Sequence, residues 1–421
     1  MRTSGNEAVH SSGQELLATR RLGIYLDDVY WVFEEEEGTP RISTDRSFLL
    51  FLCEVGEHFD RLTLFGRTVH AEAPSDYVLP GKVELVELPH YANLRRIFAV
   101  LGAAGGSLTR FWRGLDRVDT LWIFGPHPFA VAFVALGAVR RKRIFLGVRQ
   151  DSVKVYQARL PGLRWAPAIL VVRMLDGMYR LFARRLPTTV QGAELAASYR
   201  GSRTNVLTAT ESVVRANDVA LHAEVRDWSG EVELLTVGRL EPEKNPLLLV
   251  EALARLESER PGRYRLTWVG RGPLDDVVRE RASELGVLDR IEFHGYVAFD
   301  GGLLDLYRRA HMFVHVSLSE GMPKVLIEAL ACATPIVATD VGGVRAALAD
   351  GSVGLLVPAD DLEALVEAIL RISEDQELRE GLVARGLEVV SDLTLEAEVE
   401  RVAGFMAHQL ATHTAADAER A

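Results

Sequence analysis

Two short stretches of this 421-residue chain set charged side chains beside a predicted helix start. In Val237-Gly238-Arg239-Leu240-Glu241-Pro242-Glu243-Lys244-Asn245-Pro246 a strand ends and a loop carries Arg239 and Lys244. Asn245-Pro246 then opens a helix, with Asn as N-cap and Pro at the first helical position. Arginine supplies a planar fork of donors, lysine a point charge, and the helix dipole adds to both, so this set suits a diphosphate. The plainer alternative is two solvated loop cations. In Ser319-Glu320-Gly321-Met322-Pro323-Lys324-Val325-Leu326-Ile327-Glu328-Ala329 a strand ending near Ser317 feeds a loop with Glu320, and a helix begins near Pro323. Free backbone N–H groups at that start could take an anion or a sugar hydroxyl. Glu320 and Glu328 can face one crevice at the carboxyl ends of the strands, where open α/β sheets bind ligands. The plainer alternative is a capping-region Glu and a surface Glu. Yet Glu328 sits between Val325-Leu326-Ile327 and Ala329-Leu330-Ala331, and a buried carboxylate needs a partner.

Weaker candidates lie in the first half. His127, in Phe124-Gly125-Pro126-His127-Pro128, follows a predicted strand and precedes a helix, where it could serve chemistry or simply begin the helix. Arg149 and Asp151 end the next strand, Ile144–Val148.

The elements that must position these residues alternate. Strands are predicted at Leu22–Tyr25, Leu62–Phe65, Leu85–Leu88, Leu121–Phe124, Ile144–Val148 and Thr188–Val190, with helices over 93–113, 127–140 and 164–185. The acidic run Glu34–Glu37 is expected to be a solvated loop. The pattern restarts after about residue 211, with strands at Val232–Val237, Leu266–Val269, Ile291–His294, Met312–Val316 and Pro335–Ala338, helices between them, and helix almost to the end after Gly354–Val357. Such alternation predicts parallel sheets covered by helices on both faces. The expected domains are 1–212, 213–395, and a C-terminal helix and tail over 396–421.

The two charged stretches together resemble GT-B glycosyltransferases of family 4, the glycosyltransferase group 1 domain. The matching positions are Gly238-Arg239-Leu240…Lys244-Asn245 and Glu320-Gly321…Pro323…Glu328-Ala329. Further matches are Val269-Gly270-Arg271-Gly272-Pro273, Phe293-His294-Gly295-Tyr296-Val297 and Ala331-Cys332-Ala333-Thr334-Pro335-Ile336-Val337-Ala338-Thr339, the last with Ala333 where the family usually has Gly. The likeness is good over about 232–375. It implies an α/β chain of the GT-B type, two doubly wound Rossmann-like domains facing a central cleft, and a retaining hexosyl transfer from a nucleoside diphosphate sugar to a glycan or lipid-linked acceptor. No cofactor and no metal are implied.

The likeness also assigns roles. Gly238, Arg239 and Lys244 would hold the donor diphosphate and stabilise the leaving group. Glu328 would bind the ribose hydroxyls. Glu320 would contact the sugar ring, with the backbone of Gly321, Met322, Pro323, Lys324 and Val325 beside it. Tyr296 and Val297 would lie at the base, and His127 would face the reaction centre. Gly342 and Gly343 match a Gly-Gly turn and are given a structural role first. The family's Gly-Gly loop after the first strand is missing, because Leu26-Asp27-Asp28-Val29-Tyr30 stands there. A sugar-nucleotide epimerase or phosphorylase, or a non-catalytic GT-B scaffold, are the competing expectations.

Composition bounds the partners. A net charge of -11 speaks against general nucleic-acid binding. It hides an asymmetry, +6 over 1–210 and -17 over 211–421, with +14 across 90–210. Two distant cysteines, Cys53 and Cys332, build neither a disulfide framework nor a zinc site, and fit a reducing compartment. No signal peptide is evident before Arg20, and the longest apolar run, Phe129 to Val139, has 11 residues, short of the roughly 20 that a span needs. A cytoplasmic location is expected, with peripheral docking on the inner face of the membrane as an extension. That extension rests on Leu163–Leu186, where Arg164, Arg173, Arg180, Arg184 and Arg185 are interleaved with apolar and aromatic residues. The alternatives are a helix whose apolar face packs on the sheet, or arginines that bind an acidic soluble acceptor.

Overall fold

The computed structural model describes residues 14–34, 40–71, 77–92, 97–159, 162–200, 205–222 and 226–418. The chain divides into two compact units, one running to Val213 and taking in Glu398 onward, the other spanning Val214–Ala397. Each is a doubly wound α/β body.

In the first unit, strands β1 (Arg21–Glu34), β2 (Pro40–Thr44), β3 (Arg61–His70), β4 (Tyr77–Val78), β5 (Glu84–Leu88), β6 (Thr120–Gly125), β7 (Arg143–Val148), β8 (Thr188–Gln191) and β9 (Val206–Ala209) form one sheet. Its parallel part has the order β5-β3-β1-β6-β7-β8-β9, and β2 and β4 join antiparallel on the far half of β1. Strands here are near-continuous apolar runs because both faces are covered.

The main departure from expectation is β1. It does not end at Tyr25 but continues to Glu34, with a register slip against β3 between Tyr25 and Val29. The apolar and β-branched run Val29-Tyr30-Trp31-Val32-Phe33 resumes pairing after the slip, and the Asp-Asp pair is absorbed in the irregularity. Glu34 is therefore the last strand residue; the rest of the acidic run, through Glu37, lies outside the described residues.

The second unit is an all-parallel sheet of β10 (Val232–Val237), β11 (Tyr264–Val269), β12 (Ile291–Gly295), β13 (Met312–His315), β14 (Ile336–Thr339) and β15 (Leu355–Val357), in the order β12-β11-β10-β13-β14-β15. Both sheets reverse strand order once, between β1 and β6 and between β10 and β13. Ligands of open α/β sheets bind at such a switch point, outside the carboxyl ends of the strands. The helix Lys324–Ala331 packs Leu326, Ile327, Ala329 and Leu330 into the core, each large side chain contributing roughly 1.5–3 kcal/mol, and so fixes the loop that precedes it.

One helix meets its plainer expectation only in part. Of Ala166–Ala183, only Asp176, Tyr179 and Ala183 are buried. Leu170, Val171, Met174, Met178 and Leu181 are 59%, 53%, 61%, 40% and 58% exposed, so most of its apolar surface is not laid on the sheet. The part that is packed inward is its C-terminal half, where Tyr179 and Ala183 enter the core with Phe182 beside them, and the buried Asp176 pairs with Arg180 at 2.6 Å and accepts the Tyr199 hydroxyl at 2.6 Å.

Candidate active site

At the switch point of the second unit, the loops after β10 and β13 meet. The backbone N–H of Leu318 donates to the Glu243 carbonyl at 2.8 Å and ties the two loops, and the Thr339 hydroxyl at the end of β14 donates to the Ser317 carbonyl at 2.6 Å. Lys244 Nζ then donates to Glu320 Oε1 at 2.5 Å, bringing together two residues 76 positions apart. The Ser317 hydroxyl donates to the same oxygen at 2.6 Å. His315 Nε2 lies 2.9 Å away as an ion-pair neighbour, outside good hydrogen-bond geometry. Burial would raise the Glu320 carboxyl, but His315 and Lys244 outweigh it and lower it to about 2. Glu320 is thus an ionised carboxylate at the mouth of a helix start.

Glu328 is buried, as its apolar neighbours require, and its partner is Tyr307, whose hydroxyl donates to Oε2 at 2.9 Å. Burial raises its carboxyl above the usual range. The surface-Glu alternative is overturned. Of the backbone residues named from the sequence, Gly321 is exposed, Pro323 is buried, and Met322, Lys324 and Val325 are half-buried.

Arg239 is placed differently from Lys244. Its side chain is 56% exposed and pairs with Glu241 at 2.6 Å and with Glu243 at 3.8 Å, within its own loop. Asn245 corrects an expectation. It precedes Pro246 as predicted, but at φ 48 its side chain makes no capping bond, and it donates to Asp360 at 3.1 Å instead. Gly238 sits where two strand ends nearly touch, since a Cβ on Gly270 would lie 1.9 Å from the Gly238 carbonyl oxygen. Tyr296 is 51% exposed, whereas Val297 packs on the core.

Gly342 and Gly343 have the structural role expected of them. A Cβ on Gly342 (φ +52) would lie 1.9 Å from the Glu320 carbonyl oxygen, and one on Gly343 would lie 1.8 Å from that of Gly321. Gly342→Ala is expected to push the Glu320 loop out of place at a cost of about 1–3 kcal/mol, measured by denaturant unfolding. Unchanged stability would show that the loop yields freely.

In the first unit, His127 is the N-cap of helix Pro128–Val139, its Nδ1 accepting the Phe129 N–H at 3.3 Å. Its Nε2 lies 3.0 Å from Asp27, a residue the sequence had marked only for standing where glycine was expected. Arg149 and Asp151 have structural tasks. Arg149 forks onto Glu211 at 2.9 and 3.0 Å and lies over the Phe48 ring, while Asp151 accepts the Lys154 N–H. Sequence reasoning missed His315, Ser317, Tyr307, Asp27, Arg67 and Tyr91. Two of them gave a signal, Asp27 by standing where glycine was expected and His315 as a histidine ending the apolar run Met312-Phe313-Val314.

Residues 221–389 match the family described as glycosyl transferases group 1. This part of the chain is therefore similar to a glycosyltransferase group 1 domain. Over 338 residues the chain is 29% identical to a phosphatidyl-myo-inositol mannosyltransferase of Mycolicibacterium smegmatis, covering 76% of this chain and 78% of that one. It is 34% identical over 296 residues to a D-inositol 3-phosphate glycosyltransferase of an Arthrobacter species, covering 66% and 63%. A second D-inositol 3-phosphate glycosyltransferase, from Acidothermus cellulolyticus, is 37% identical over 174 residues, and the chain spans only 39% of its length. Among solved structures, Anabaena Alr3699/HepE in complex with UDP and glucose superposes with a TM-score of 0.66 at 14% identity, over 92% of this chain and all of that one. WaaG, a glycosyltransferase involved in lipopolysaccharide biosynthesis, gives 0.65 at 15% identity, over 91% and 98%. The fold is GT-B.

Proposed function

We propose that the chain transfers a hexosyl group from a nucleoside diphosphate sugar, with retention of configuration and without a metal, to a hydroxyl of a glycan or lipid-linked acceptor. The observation that carries this reading is the Lys244–Glu320 pair at the switch point of a unit similar to a glycosyltransferase group 1 domain, with the buried Glu328 eight residues beyond Glu320 in the helix that follows. Glu328 would accept the ribose hydroxyls and Glu320 a hydroxyl of the donor sugar. Arg239 and Lys244 would take the diphosphate, Arg239 by leaving the half-buried Glu241 and Glu243. In a front-face transfer the leaving diphosphate would accept the acceptor's proton, so the enzyme mainly positions the reactants and stabilises charge. The inositol-based names of the relatives favour a polyol or lipid-linked polyol as acceptor. A thermal-shift screen with UDP, GDP, ADP and dTDP tests the reading, because a bound nucleotide stabilises the fold by mass action. One of the four is expected to raise Tm, and no shift with any of them would count against a donor site.

Among the described residues no helix is long and apolar enough to cross a membrane. Helix Ala166–Ala183, with its exposed Leu170, Val171, Met174, Met178 and Leu181, supports docking on an anionic bilayer, as do the exposed Arg173, Arg184 and Arg185. Each basic residue near such a surface contributes about 1 kcal/mol. Because Arg180 is engaged by buried Asp176, charge reversal is best made at Arg173, Arg184 and Arg185. Flotation with anionic vesicles is expected to fall with added salt and with that triple reversal to Glu. No flotation at low salt would rule docking out.

A further inference from the structure

At the switch point of the first unit, the slip in β1 turns Asp27 toward His127, Arg67 and Tyr91. His127 Nδ1 accepts the Phe129 N–H at 3.3 Å and lies 3.3 Å from the Tyr25 hydroxyl. A ring nitrogen that accepts a backbone N–H carries no proton, so in the neutral imidazole the proton is on Nε2, which lies 3.0 Å from Asp27 Oδ2. Asp27 Oδ1 accepts the Tyr91 hydroxyl at 2.5 Å and faces Arg67 Nε at 3.0 Å. Arg67 in turn donates to the Tyr91 carbonyl at 2.6 Å and the Asp27 carbonyl at 3.3 Å, and its guanidinium lies over the Tyr91 ring. Burial pushes the Asp27 carboxyl up, but His127, Arg67 and Tyr91 outweigh it and leave it below the usual range.

Both His127 nitrogens are therefore committed inside the protein, and its side chain is only 10% exposed, against 21% for Asp27. A carboxylate has about four acceptor positions, so Asp27 keeps acceptor capacity after these contacts. We propose that the two residues exchange the roles expected from sequence: Asp27 is the carboxylate that receives a ligand hydroxyl in this unit, and His127 is its positioning residue, an Nε2–H donor rather than a base. This deepens the transferase reading, on which the nature of the ligand rests: a neutral sugar or polyol hydroxyl, because an ionised Asp27 repels a phosphate and Arg67 is already paired. The ligand hydroxyl donates to Asp27 and no bond is broken there.

Ring-nitrogen NMR of the full-length chain labelled in histidine tests the pairing without any ligand. The wild type is expected to hold His127 as the Nε2–H tautomer, and Asp27→Asn and Asp27→Ala to keep it because the Phe129 N–H still caps Nδ1; in Asp27→Ala the Nε2 and Nε2–H resonances are expected to shift because their carboxylate acceptor is gone. An Nδ1–H tautomer in the wild type, or an unchanged spectrum in Asp27→Ala, overturns the proposal. Turnover of the donor identified by the nucleotide screen, with water or a polyol as acceptor, then separates the roles. Asp27→Asn is expected to fall further than His127→Gln, whose amide N–H can replace Nε2–H; the reverse order overturns the proposal. UDP or GDP binding stays as in the wild type in every variant. A wild type that binds no nucleotide would instead defeat the transferase reading, leaving the tautomer result to decide the pairing.

Discussion

Lys244→Ala is expected to lower turnover about a hundredfold or more, since removing one charge contact to a transition state typically costs roughly 3 kcal/mol. Arg239→Ala should fall by a similar factor. The two variants should differ in stability. Arg239 is 56% exposed and pairs with the half-buried Glu241 and Glu243 of its own loop, so its loss should leave folding within about 0.5 kcal/mol. Lys244 is the cation beside a carboxylate that is only 10% exposed, and its loss leaves Glu320 with Ser317 and His315. The same pair sets a pH dependence. Glu320 is lowered from 4.5 to about 2, so its contribution to stability is fully present above about pH 4.5 and is lost as pH falls through about 2. The lowering is worth roughly 3 kcal/mol, and the stability gap between wild type and Glu320→Gln should narrow by about that much on acidification. Denaturant unfolding across pH measures it, and a gap independent of pH would show that Glu320 is not held by its cations. Normal turnover in both Arg239→Ala and Lys244→Ala would remove the donor-site assignment.

Glu328→Gln is expected to weaken nucleotide binding about ten- to hundredfold with little loss of fold, the usual effect of losing a hydrogen bond to a charged group. The fold should survive because a glutamine oxygen can still accept from Tyr307. Glu320→Gln should mainly slow transfer. Calorimetry with free nucleoside diphosphate separates the two, and the roles are reversed if Glu320→Gln abolishes binding while Glu328→Gln preserves it.

How far the sequence led can be seen at particular residues. Glu328 had to have a partner because its helix neighbours are apolar, but nothing marked Tyr307, since which helix lies alongside is decided by the strand order of the sheet. Lys244 and Glu320 were each legible beside a helix start, and their contact was not, because it depends on how β10 and β13 pair. Asp27-Asp28 looked like a loop because acidic residues are poor strand formers. Tertiary pairing overrode that local preference, and a slip in register carried the strand through it. The short strands Pro40–Thr44, Tyr77–Val78 and Val206–Ala209 were missed for lack of length to show a period. The helix Ala166–Ala183 was legible as amphipathic, but sequence alone does not tell how much of such a face packs inward, and here only Tyr179, Ala183 and Asp176 are buried.

The most direct measurement of the donor site is calorimetric titration of UDP, GDP, ADP and dTDP into the full chain, in wild type and in Glu328→Gln. A saturable, one-to-one isotherm with one of the four, weakened in Glu328→Gln, is the predicted result. No binding of any nucleoside diphosphate to the wild type, or binding that Glu328→Gln leaves untouched, would contradict it.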